Sequence, residues 1–266
     1  MTVTSTDLPT RRNASATLAM LLADSRLPAG AHVSSNGLEA GLRHGLAAHE
    51  VADYMRTRMT TVVRVEAGAA VIARHLADVR PSADGAADTE QGSGDPDRDS
   101  FRPERNGIAP ERDTVVPDRL GVLETEWAAR TPSAALREIA VALGAGLARI
   151  GQRIWPQTAA VLRPTPLPRP IVLGTIAACA GIGAADLVRL VAYDDAQTVA
   201  AAVLKLEPTD PIRVTGWVLD ACAAMEDSVS ELSRLTRPEA LPASGAPLIE
   251  DWAEVQSVLP RRLFRA

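Results

Sequence analysis

The chain has 266 residues, 46% of them hydrophobic but only 3% aromatic, so its apolar mass is Ala, Leu, Val and Ile, enough to bury a sizeable helical core. Twenty-eight Lys and Arg against 33 Asp and Glu leave a net charge of −5, with no cationic excess to attract a nucleic-acid backbone. No run approaches the ~20 apolar residues of a membrane helix, and no leader pattern opens the chain. Cys179 and Cys222 sit in Ala-rich apolar runs, as small hydrophobes do, and a cytoplasmic protein with reduced thiols is expected.

In chain order, residues 1–12 are polar and read as a flexible N-terminus. Asn13 caps a helix through Asp24, and residues 25–34 (SRLPAGAHVS) form a Pro/Gly loop. Ser35 opens a second helix ending near Gly45, with Gly37 and Gly41 on one face. Glycine inside a helix costs about 1 kcal/mol against Ala, so these two either admit a close helix contact or are merely tolerated. Residues 48–79 read as one long helix whose stripe is Val62, Val65, Ala69, Ile72 and Leu76. Residues 80–117 are rich in Pro, Gly, Asp, Ser and Arg and read as a disordered low-complexity insertion. Its acidic residues, Asp84, Asp88, Glu90, Asp95 and Asp97, read as a solvated linker, not a cation site.

Helices resume at Asp118–Arg130, with Leu120, Leu123 and Trp127 on one side. Thr131 caps the next, with Pro132 at its first position, and Leu136, Ala140, Leu143, Leu147 and Ile150 form its stripe to Ile154. A Pro-rich connection, 156–170, leads to helical stretches at 171–180, 184–193 and 196–206. Asp210 and Pro211 start a helix to about Leu235, and a last helix spans 248–259. No segment alternates as a strand would. The expected fold is an all-α bundle of about eight to ten helices. Residues 13–79 and 118–259 make one helical domain, and 260–266 a C-terminal tail.

Chemistry is sparse. The four histidines, His32, His44, His49 and His75, show no HExxH and no zinc spacing. There is no GxSxG, and neither cysteine has a catalytic context. Asp194 and Asp195 are neighbours that point about 100° apart on a helix, so a helix start or exposed turn explains them. Gly144-Ala-Gly146 and Gly181-Ile-Gly183 follow no strand and complete no phosphate loop. The ending Arg262-Leu263-Phe264-Arg265 is either a frayed terminus or a short docking anchor, apolar groups flanked by guanidinium.

Three regions together resemble the urease accessory protein UreF family. The first is Leu21-Leu22 followed by Pro28-x-Gly30 and Ser35-x-Gly37-Leu38-Glu39. The second is the PIVLGTIAACAGI run leading into AYDDAQTVAAAVLKL. The third is the Arg262–Arg265 ending. The likeness is to a divergent, actinobacterial-like branch. His32 stands where the family has an aromatic residue, and Lys205-Leu-Glu-Pro-Thr-Asp-Pro211 replaces a polar loop.

The resemblance implies a non-enzymatic homodimer, a chaperone-like scaffold that binds UreD/UreH and the GTPase UreG. These load nickel into apo-urease, with nickel and GTP held by partners and no cofactor, nucleic acid or membrane on this chain. The partner-binding residues it implies are Pro28, Gly30, His32, Ser35, Gly37, Glu39, Arg262, Leu263, Phe264 and Arg265, with the tail ordering on binding. The competing expectation is a helical enzyme with a site around Pro28–Glu39.

Overall fold

The computed structural model describes residues 11–24, 27, 33–78, 115–162, 166–260 and 262–264. Pro28, Gly30, His32 and Arg265, and the insertion up to residue 114, lie outside them. Among the described residues there are ten α-helices and no strand, and the protein is all-α. In order they are α1 (Arg11–Ala23), α2 (Leu38–Arg43), α3 (Val51–Thr60), α4 (Val62–Ala77) and α5 (Val115–Ala129). Then come α6 (Ala134–Ile154), α7 (Arg169–Ala180), α8 (Ala184–Leu206), α9 (Pro211–Leu232) and α10 (Pro247–Val258).

α4 is central because its sequence leaves it no solvent face. VVRVEAGAAVIARHLA is apolar on nearly every side, and such a helix must be surrounded. One side joins the main core with α3, α7, α8 and α9. The other side, Val65, Ala69, Ile72 and Leu76, packs on Leu120, Leu123 and Trp127 of α5, as their spacing predicts. α7 lies against α4 more closely than any residue with a side chain allows: a Cβ on Gly174 would overlap the Ala70 carbonyl.

Four sequence expectations need correction. The long 48–79 helix is broken: α3 ends at Thr60, Thr61 takes φ −127° and ψ −99°, and α4 starts at Val62. The hydroxyls of Thr60 and Thr61 both donate to the Thr57 carbonyl, a local bond that competes with the helical ladder. The break lets α3 pack on α9 while α4 packs on α7. Conversely, 184–193 and 196–206 are one helix, α8, so Asp194 and Asp195 are mid-helix. Ser133, not Thr131, caps α6, its Oγ accepting from Leu136 N at 3.1 Å. Gly37 is not inside α2 but precedes it at φ 83°, after Asn36 at φ 54°. A left-handed pair turns the chain sharply into the helix, and the second position suits only Gly well.

Gly144 lies inside α6 and Gly181 caps α7, so neither belongs to a phosphate loop. Asp210 and Pro211 do start α9, Asp210 accepting from Ile212 N at 3.0 Å.

Candidate functional site

The turn at Asn36–Gly37 aims α2 into the protein. Leu38 and Ala40 become core, and so does Glu39, at 1% exposure. An ionised carboxylate buried this deeply needs several donors. They come from the far end of the chain. Leu263 N donates to Glu39 Oε1 and Oε2 at 2.9 and 3.0 Å, and Phe264 N to Oε2 at 3.0 Å. Gln256 Nε2 donates to Oε2 at 2.9 Å, and Arg43, one turn along α2, closes on Oε1 at 2.6 Å. Burial alone would raise the Glu39 carboxyl. The amides of Leu263 and Phe264, the Gln256 amide and the Arg43 guanidinium outweigh it and hold the group below its ordinary value.

Residues 262–264 are fastened at further points. Gln256 Nε2 also donates to the Phe264 carbonyl at 3.0 Å, and Arg262 Nη1 donates to the Gln256 and Ser257 carbonyls at the end of α10. That geometry fixes the orientation of the Gln256 amide and leaves its Oε1 buried without a donor among the described residues. Phe264 is 3% exposed, and Lys205 Nζ stands 5.2 Å from its ring centre, so the end of α8 closes over the docked ring.

The described parts of the two segments that the sequence singled out, 35–39 and 262–264, therefore form one structure, a clasp with Glu39 at its centre. Ser35 Oγ accepts from Glu39 N at 3.4 Å, and Gly37 supplies the turn. Within the tail the structure separates two residues that the sequence treated alike. Phe264 is a plug in the core, whereas Leu263 is 61% exposed.

Sequence reasoning missed a second feature, a polar cavity of about 110 Å³ between α3, α4, α6 and α8. Arg58 donates to both oxygens of Asp195 at 2.9 and 2.6 Å, and to Asn36 O at 3.2 Å. Asn36 Nδ2 adds a bond to Asp195 at 2.8 Å, and Arg169 pairs with Asp194 at 2.7 Å. The two aspartates do diverge, each to its own arginine, but both are half-buried mid-helix partners and not residents of an exposed turn. Tyr54 hydroxyl donates to Asn36 O, which ties the cavity to the turn that starts the clasp. Among the described residues Glu66 has one donor, Trp127 Nε1 at 2.7 Å. Desolvation pushes its carboxyl up to about 7, against the lowering effect of Trp127. The signal in the sequence was faint: a lone Glu in the apolar run of α4, and two Asp inside a helix-forming Ala-rich stretch. Leu136, Ile139, Ala140 and Leu143 of α6 line the apolar wall, which is why that stripe is half-buried.

Among the described residues no cluster of His, Cys, Asp and Glu is placed to hold a metal, and no helix is long and apolar enough to cross a membrane. Burial raises both thiols, Cys179 and Cys222. A third feature is an open groove of about 630 Å³ between α1 and α8, with Met20 and Tyr193 on its exposed walls.

Comparison with known proteins places the chain in a family. The UreF family model matches residues 47–222, from the turn before α3 into α9. The chain is similar to the urease accessory protein UreF of Mycobacterium marinum, 30% identical over 260 residues covering 93% of this chain and 98% of that one. It is 28% identical over 257 residues to the UreF of Mycobacterium sp. strain JLS, covering 93% and 97%. With the UreF of Mycolicibacterium vanbaalenii it shares 31% over 225 residues, covering 82% and 88%. The family-model match runs through α3 to α8, which build the cavity, and stops before the clasp residues at both ends, and the chain belongs to the UreF family of urease accessory proteins.

Proposed function

We propose that the chain is a non-catalytic scaffold in cytoplasmic urease maturation, binding a UreD/UreH-type protein and, with it, the GTPase UreG. Nickel is then the cargo, and its chemistry and that of GTP reside on the partners. Family membership supports the urease role. The observation that carries the scaffold reading is the clasp: it buries Phe264 and ties the Leu263 amide to Glu39, which leaves the Leu263 side chain outward on a fixed base. A preformed apolar knob loses less conformational entropy on docking than a free tail would. The groove between α1 and α8, with exposed Met20 and Tyr193, supports homodimerisation through that face. The competing enzyme reading fares worse at Glu39. Both of its oxygens are engaged by donors, which leaves it a poor general base.

The test is co-purification with a UreD-type partner and urease activation with nickel supplied. Replacing Leu263 with Ser should abolish both while helicity and melting temperature stay unchanged. Full activation by that variant would overturn the assignment of this surface. Turnover of a substrate by the isolated chain would overturn the scaffold reading.

A further inference from the structure

The polar cavity between α3, α4, α6 and α8 has no assigned role, and its charges do not balance. The charged side chains that line it are Arg58, Arg130, Arg169, Glu66, Asp194, Asp195 and Glu250, the last from α10. Arg58 pairs with Asp195 and Arg169 with Asp194. Arg130 is engaged by Glu126, which is not part of the lining, and by the Leu241 carbonyl. All three guanidinium groups are thereby committed, and among the described residues Glu66 and Glu250 have no ion pair. Each also keeps an oxygen without a donor among those residues. Trp127 Nε1 reaches Oε1 of Glu66, and nothing donates to its Oε2. Glu250 is 7% exposed, yet its Oε1 accepts one long bond, from Ala246 N at 3.4 Å at the start of α10, and its Oε2 accepts none. A carboxylate buried so deeply calls for more donors than that.

Another wall of the cavity is apolar. Leu136, Ile139 and Leu143 of α6 line it, are half-buried, and belong to neither hydrophobic core cluster. An apolar wall with a few convergent polar groups is the usual make-up of a small-molecule site. The volume of about 110 Å³ sets the size of the occupant. A cavity of about 150 Å³ takes a benzene ring, so this one takes about five non-hydrogen atoms. A bare metal ion fits poorly. It needs several ligand side chains, and among the described residues no group of His, Cys, Asp and Glu is placed to supply them.

We propose that the cavity binds a small alkylammonium ion, its charge compensated by Glu66 and Glu250 and its alkyl chain lying on Leu136, Ile139 and Leu143. The site is separate from the partner surface at Leu263, and the inference does not rest on the scaffold reading.

The probe is n-butylammonium, titrated into the isolated full chain and followed by backbone amide shifts. The shifts should centre on residues 58–66, 136–143 and 194–198 and saturate with a Kd of about 1 mM. Affinity should fall roughly tenfold or more in Glu66→Gln and in Glu250→Gln, each of which keeps the side-chain shape and removes the charge. 1-Butanol and butyrate should bind at least about tenfold more weakly, for want of the positive charge. Ammonium should do the same, for want of the chain. Shifts centred elsewhere, no saturation below about 50 mM, 1-butanol or ammonium binding as tightly as n-butylammonium, or unchanged affinity in both variants would overturn the proposal. The comparison of probes is made on the parent chain and decides the matter even where a variant folds poorly.

Discussion

Glu39 is fully buried and Glu66 half-buried, and they end in opposite states. Glu39 meets two backbone amides, a side-chain amide and a guanidinium, and stays charged below its ordinary range. Glu66 meets one indole N–H in a cavity whose arginines Arg58 and Arg169 are committed to Asp195 and Asp194, and titrates at about 7. Burial alone does not decide the charge of a carboxyl; the number of donors left over for it does. The same contrast separates the two regions. The clasp saturates its carboxylate with donors, and the cavity leaves its own short of them and raised to about 7.

The largest test of this comparison lies at the shared wall. Asp195→Ala leaves Arg58 buried with no counter-charge, and unfolding experiments should show a loss of about 3–5 kcal/mol. Glu39→Ala comes next. It strands the amides of Leu263 and Phe264, and a loss of roughly 2–4 kcal/mol is expected, accompanied by proteolytic release of the tail.

The two glutamates should also show opposite pH linkage. The Glu39 carboxyl is lowered in the folded state, so its contribution is present above the unfolded value of 4.5 and is lost as pH falls through the folded value. The Glu66 carboxyl is raised, so the native state holds a proton that the unfolded chain has lost, and stability declines as pH rises from 4.5 through about 7. Glu66→Gln should remove that decline. Denaturant melts should find it roughly 3 kcal/mol more stable than the parent at pH 8 and nearly equal at pH 4. Equal pH profiles for parent and variant would erase the distinction between the two sites. The smallest effect is at the surface: Leu263→Ser should change stability by less than about 0.5 kcal/mol while abolishing partner binding.

Much of the fold was legible because helices announce themselves by period. The α4 and α5 stripes, and the cap of α9 at Asp210–Pro211, follow from local spacing. The helix errors have different causes: the α3–α4 break is local, set by the Thr60 and Thr61 hydroxyls on the Thr57 carbonyl, whereas the continuity of α8 is not. The chain continues through Asp194–Asp195 because Arg169 and Arg58 satisfy those carboxylates, and such partners lie far away in sequence. Both segments of the clasp were visible as motifs, but their pairing was not. Nothing in the periodicity of residues 35–39 says that their carboxylate will meet amides at 263 and 264, and nothing local tells buried Phe264 from exposed Leu263.

The central claim is that the tail is fastened to Glu39 before any partner arrives. Amide hydrogen exchange at Leu263 and Phe264 in the isolated chain tests it most directly. Both amides should exchange at least about a hundredfold more slowly than in an unfolded peptide, and Glu39→Gln should remove most of that protection. Exchange at unfolded-peptide rates in the parent chain would contradict the clasp and return the tail to a segment that orders only on binding.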